Sequence, residues 1–166
     1  MRADFTMPVS DFLDSVRAGL LDTNLAPDLE KDEQISHYNW IIAALEHLSE
    51  DGDLPGPRDY NQLKSGIWEI KRFNLRITFF DTDGHGHFDP KIDFEGGGLW
   101  SPPDLPDFDY YLRLATAFIK PPSVVKTPLR ELQLALAVRK EDVAHDLSKV
   151  SRYRSEGSTS SSGRSQ

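Results

Sequence analysis

Near Leu63 the apolar residues change period, and that switch confines the chain to folds that combine helices with a sheet. Upstream of it, Val9, Phe12, Leu13, Val16 and Leu20 recur at helical spacing after Pro8 and Ser10. They stop at Gly19 and the Asp22-Thr23-Asn24 cluster, which predicts a short helix. Leu29, Ile35, Tyr38, Ile41, Ile42, Leu45 and Leu48 repeat the pattern over a longer stretch, closed by Glu50-Asp51-Gly52-Asp53. Leu54-Pro55-Gly56-Pro57 cannot remain helical and forms a loop. Beyond the loop, Leu63, Ile67, Trp68, Ile70 and Phe73, then the run 75–80, are rich in β-branched and aromatic residues. A turn at Phe73-Asn74 makes them two adjacent antiparallel strands.

Residues 81–110 are acidic and rich in Gly and Pro, including Gly96-Gly97-Gly98 and Ser101-Pro102-Pro103. An irregular insert of that length between strands is uncommon and tends to be functional or mobile. A third strand is predicted from Tyr110 to Ile119, stopped by Lys120-Pro121-Pro122. Thr127-Pro128 then opens a helix, with Leu129, Leu132, Leu136 and Val143 along one face. The expected organisation is one α+β domain over residues 1–150, with a helical hairpin, an antiparallel sheet and a C-terminal helix. Residues 151–166 are expected to be a disordered Ser/Gly-rich tail.

Charge is segregated along the chain. The formal net charge is -8, yet residues 58–80 and 113–154 are net basic, while 1–57 and 81–112 are strongly acidic. Such asymmetry points to a basic face on an acidic body. With no cysteine, disulfides, thiolate zinc sites and cysteine nucleophiles are excluded. The apolar runs are far shorter than the roughly 20 residues that span a bilayer, and no apolar leader follows Met1, so a cytoplasmic location is expected.

Several strings in this order resemble the RelE/ParE toxin superfamily, most closely its phage-derived HigB-like branch. They are Ala44-Leu45-Glu46-His47-Leu48 with Gly52 and Leu54-Pro55, Leu63-Lys64-Ser65-Gly66-Ile67-Trp68-Glu69-Ile70-Lys71, and Leu75-Arg76-Ile77-Thr78-Phe79-Phe80. Ala117-Phe118-Ile119-Lys120 and the run from Lys126-Thr127-Pro128 through Leu132 to Ala135 continue the match, and Pro8 to Leu13 looks like the family's first helix. The resemblance implies a small twisted antiparallel sheet packed on the N-terminal helical hairpin; the family usually opens with a strand before the first helix, which only residues 3–7 could supply here. It also implies ribosome-dependent cleavage of mRNA and neutralisation by a helix-turn-helix antitoxin.

Metal-independent RNA cleavage needs a base for the 2′-hydroxyl, positive charge on the phosphorane and a proton donor for the leaving oxygen. Alternate strand residues share a face, so Glu69 and Lys71 project together, and an antiparallel neighbour brings Arg76 beside them, with Lys120 at the end of the third strand. Arg76 suits the phosphate. Lys71 and Lys120 would stabilise charge or, with a depressed pKa, move a proton. Glu69 would be the base or would orient Arg76. Lys64, Arg72, Lys126, Arg130 and Arg139 are the expected RNA contacts. The same charges also fit cross-strand ion pairs on a solvated sheet face. The acidic balance, Lys120-Pro121 in place of the family's lysine pair, and the insert keep open a second reading: a non-catalytic interaction protein on the same scaffold.

Asp81, Asp83, His85, His87 and Asp89 alternate, but Ile92 stands where an EF-hand needs its twelfth-position carboxylate, so a solvated Gly/Asp turn is the preferred reading and no metal or other cofactor is expected. His37, His47 and His145 read as isolated surface or boundary residues. Trp100, Phe108, Tyr110 and Tyr111 fit either base stacking or core packing. The acidic insert is expected to act as a flap near the basic face.

Overall fold

The computed structural model describes residues 9–22, 29–54, 56, 58–92, 105–108 and 111–158, with side chains up to 151. Helix α1 spans Val9–Ala18 and α2 spans Lys31–Asp51. Strands follow: β1 (Tyr60–Gln62), β2 (Trp68–Arg72), β3 (Leu75–Thr82) and β4 (Tyr111–Ile119), then helix α3 (Leu129–Ser158). The strands form one antiparallel sheet in the order β1-β2-β3-β4. The chain is therefore α+β, with an N-terminal helix pair and a C-terminal helix.

Helix α2 begins where the Glu33 carboxylate accepts the Glu30 N–H at 3.3 Å, and ends at Gly52, which adopts φ +72° and donates to the Leu48 carbonyl. Its buried face, Ile41, Ala44 and Leu48, meets the sheet with Phe12 and Val16 of α1. Leu75 and Ile77 complete one part of that core, and Trp68, Ile70 and Phe79 the other. Buried Gln34 ties the connection between the helices, donating to the Leu29 carbonyl at 3.1 Å and accepting the Leu21 N–H at 3.0 Å.

Helix α3 covers the opposite face of the sheet at one end, where Ile67, Phe80, Ala115 and Ala135 are buried together. A register shift makes this possible. Thr78 pairs with Thr116 and Phe79 pairs with Leu114, so Ala115 is the extra residue of a bulge. Leu114 then joins the core under the helix pair while Ala115 packs with α3.

Three boundaries differ from the sequence reading. The segment from Leu63 is not a continuous strand: Ser65 and Gly66 take left-handed conformations, and the turn divides β1 from β2. Asp81 and Thr82 belong to β3 rather than to the insert. The last strand is described from Tyr111, and its predicted first residue, Tyr110, lies outside the described residues. Residues 151–158, expected to belong to a disordered tail, continue α3. The proposed opening strand at residues 3–7 and the insert's residues 93–104 lie outside the described residues. Among the described residues, no helix is long and apolar enough to cross a membrane.

The described parts of the insert dock on both faces of the sheet, Phe88 on the face that also carries the charged cluster and Phe108 under the helix pair. Phe88 packs edge-on against Phe80 and beneath the Arg139 guanidinium, and the Lys91 carbonyl accepts the Trp68 indole N–H at 3.0 Å. Phe108 packs edge-on against Trp68 and Phe79 under the helix pair, so it serves the core. Asp83 accepts the N–H groups of His85 and His87 and pairs with the His87 ring, which makes this stretch a hydrogen-bonded Asp/Gly turn.

Candidate functional site

The sheet face turned away from the helix pair carries a charged cluster beside the start of α3. Antiparallel pairing sets Asn61 opposite Glu69, Glu69 opposite Thr78, and Lys71 opposite Arg76. These residues alternate with the core residues Ile70, Leu75 and Ile77, so strand periodicity alone sends them to the other face. Thr78 and Thr116 form its buried floor, their hydroxyls 2.8 Å apart.

Glu69 is the centre of the cluster and is 0% exposed. A buried carboxylate requires compensating donors. Thr127, just before α3, donates its hydroxyl to Glu69 Oε2 at 2.8 Å, and Asn61 Nδ2 donates to Oε1 at 3.3 Å. Arg76 Nε lies 3.6 Å from the same Oε1, an ion pair beyond hydrogen-bond length. The Arg76 Nη1 group donates to the carbonyls of Phe73 and Leu75 at 2.6 and 2.7 Å, so the guanidinium is held between a buried carboxylate and the β2–β3 turn.

Lys71 Nζ donates to Asn61 Oδ1 at 3.0 Å, which extends the network to Thr127–Glu69–Asn61–Lys71. Burial holds the Lys71 ammonium below its ordinary pKa. Glu69 and Asp59 oppose that shift, whereas Arg76 and Lys120 add to it. Lys120 follows β4, with its backbone N–H on the Asn74 carbonyl and its ammonium on the Val125 carbonyl at 2.7 Å. One buried carboxylate thus stands among three cations, and the cluster carries net positive charge.

All four residues read as catalytic from the sequence, Glu69, Lys71, Arg76 and Lys120, come together here. The expected RNA contacts divide. Lys126 and Arg130 are exposed on either side of Thr127, at the edge of the cluster. Lys64 is exposed in the β1–β2 turn, and Arg139 of α3 bonds the Ser65 carbonyl of that turn and lies over Phe88. Arg72 is on the opposite face, its guanidinium 4.8 Å from the Trp40 ring centroid and its Nε donating to His37 Nδ1 at 3.2 Å. His37 is therefore not isolated, since it also stacks on Phe73.

No family model, curated protein or solved structure matches the chain. The chemistry of the cluster rests on its own residues. Asn61 and Thr127 were missed as site residues, because β1 has only three residues and Thr127 reads locally as a helix cap. Tyr111 is exposed with Arg113 over its ring, at the far end of β4 from Lys120. Trp100 and Tyr110 lie outside the described residues. Among the described residues no group of three or more His, Asp or Glu is arranged to hold a metal ion.

Proposed function

We propose that this chain is a HigB-like toxin of a toxin–antitoxin system, an endoribonuclease that cuts mRNA on the ribosome in the cytoplasm and is held in check by a helix-turn-helix antitoxin. The observation that carries this reading is Arg76, fixed by a fully buried Glu69 beside a lysine of lowered pKa. Arg76 meets the scissile phosphate, and its planar donors suit the charge that grows there. Lys71 is the group suited to move a proton: it takes the 2′-hydroxyl proton as that oxygen attacks phosphorus, or gives one to the departing 5′-oxygen. Lys120 supplies further positive charge. Glu69, with no exposed surface, is a positioning residue for Arg76 rather than the base.

Inducing the protein and mapping mRNA ends tests this reading. Growth arrest with new ends inside translated messages is expected, both abolished by Arg76→Ala and reduced by Lys120→Ala. Intact messages and unimpaired growth would refute it.

One observation favours a second reading, a non-catalytic interaction protein. Each cation of the cluster already has a partner within the chain: Arg76 the turn carbonyls, Lys71 Asn61, and Lys120 the Val125 carbonyl. A growth effect without mRNA cuts, indifferent to Arg76→Ala and Lys120→Ala, would select this reading.

A further inference from the structure

Asparagine is depleted in strands, because its side chain competes for backbone hydrogen bonds and packs poorly on a pleated surface. Asn61 nevertheless stands in the middle of β1, half-buried and directly opposite Glu69 in the register. Strand propensity does not explain an asparagine there, so its explanation lies in what its side chain touches.

The neighbours assign the two ends of its amide. A buried carboxylate can only accept, so the amide nitrogen faces Glu69, and Nδ2 donates to Oε1 at 3.3 Å. The carbonyl end is left for Lys71, whose Nζ donates to Oδ1 at 3.0 Å. Aspartate would set a second carboxylate against Glu69, and an apolar residue would serve neither group. The Lys71 backbone is tied to the same side of the sheet, its N–H donating to the Asp59 carbonyl at 2.6 Å.

A lysine nitrogen rides on a flexible four-carbon stem, and a proton carrier that is misplaced by about 1 Å loses much of its rate. Asn61 Oδ1 removes that freedom at small chemical cost. It takes one N–H of Lys71 and, having no proton to give, leaves the lone pair of the neutral amine open. In the charged form the further N–H groups stay open instead. Either form can therefore meet a reacting oxygen while the nitrogen is held.

We infer that Asn61 is a positioning residue for Lys71, aiming its side-chain nitrogen at the RNA oxygen whose proton Lys71 moves. The inference rests on the ribonuclease reading above and deepens it, because it makes β1 part of the site. Glu69 then orients two groups at once: Arg76 directly, and Lys71 through the Asn61 amide.

The test measures single-turnover cutting of mRNA on programmed ribosomes by the purified chain, over a pH series, for the parent, Asn61→Ser, Asn61→Asp and Arg76→Ala. Thermal unfolding is recorded for each protein. Serine is too short to span from Glu69 to Lys71, so Asn61→Ser should lower the plateau rate about 100-fold with the mRNA KM unchanged. Asn61→Asp again offers Lys71 an acceptor and should restore most of that rate. The charged groups around Lys71 are Glu69 and Asp59, opposed by Arg76 and Lys120. Asn61→Asp adds one anion to them, so the limb of the pH profile set by Lys71 should move to higher pH, whether Lys71 acts as base or acid. In the parent that limb should coincide with the Lys71 midpoint from NMR titration, a comparison that needs no variant to fold. A limb elsewhere overturns the inference. So does Asn61→Ser with the parent's rate and profile, or equal losses in Asn61→Ser and Asn61→Asp with the limb unmoved. In each of these cases, with Arg76→Ala inactive, the ribonuclease reading stands. If the parent protein makes no cuts, both fall.

Discussion

The Thr127 hydroxyl donates to Glu69 Oε2 at 2.8 Å across 58 positions of sequence. That bond ties the start of α3 to the second strand of the sheet, and it places a helix-entry residue in direct contact with the buried carboxylate that holds Arg76.

Removing either partner should therefore be costly. Thr127→Val keeps the shape but takes a donor from a buried carboxylate oxygen, and should destabilise by about 1–3 kcal/mol. Glu69→Ala also strands the largely buried Arg76 guanidinium and should cost about 3–5 kcal/mol. Urea unfolding with unchanged slope measures both, and equal midpoints for Thr127→Val and the parent would refute the bond's contribution.

Lys71 should titrate below its ordinary 10.5, because burial disfavours the ammonium. Replacing Lys120 by Met should raise the Lys71 midpoint and Glu69→Gln should lower it further, as read by NMR titration of the Lys71 side chain. Between the lowered value and 10.5 the unfolded chain holds more protons than the folded one, so this residue makes stability rise with pH across that window.

The same sign applies to His37 in an acid window. Burial lowers its pKa from 6.5 and Arg72 adds to that effect, while Glu33 opposes it. As pH falls from above 6.5 through the lowered value, the unfolded chain takes up the proton first and stability declines, then levels off. His37→Gln should remove that slope from the pH dependence of unfolding, and an identical slope in the variant would contradict this.

Asp146 of α3 is 3% exposed and faces Arg113 of β4 at 3.5 Å, with Asp142 on the same guanidinium at 3.1 Å and Lys149 also at 3.5 Å. Asp146→Ala should cost about 2 kcal/mol, between the values for exposed and fully buried pairs. Faster amide exchange in α3 near this position, with the helix pair unchanged, is the expected signature by hydrogen-exchange mass spectrometry.

Gly66 adopts φ +72°, and a Cβ there would lie 2.8 Å from the Pro90 Cα. Gly66→Ala should destabilise by about 1–3 kcal/mol through backbone strain and the displaced insert arm. Retention of the parent's melting temperature would show that the arm can move away freely.

Much of this architecture was legible along the chain, and the failures have identifiable causes. The helix periods of α1 and α2, the stop at Gly52 and the turn at Phe73-Asn74 are local properties, decided by side chains a few residues apart. Alternation along β2 correctly joined Glu69 to Lys71, and the same rule assigns Arg72 to the other face, although the sequence reading had grouped it with the RNA contacts. The strand predicted from Leu63 overran a turn whose left-handed Ser65-Gly66 pair gives only a weak composition signal.

Residue types and their spacing determined by themselves that this chain sets a helical segment before a run of strands and a closing helix, that its charge is divided into blocks, and that Glu69, Lys71 and Arg76 share one face if two strands pair. Tertiary structure decided what those residues contact. Glu69 is buried only because α3 begins beside it and supplies Thr127, and Ala115 reaches α3 only because a bulge shifts β4 against β3. His37 meets Arg72 and Phe73 only because α2 lies along the strand turn. Periodicity acts between residues close in sequence, whereas burial, ion pairing and hydrogen bonding depend on groups that folding brings together from distant parts of the chain.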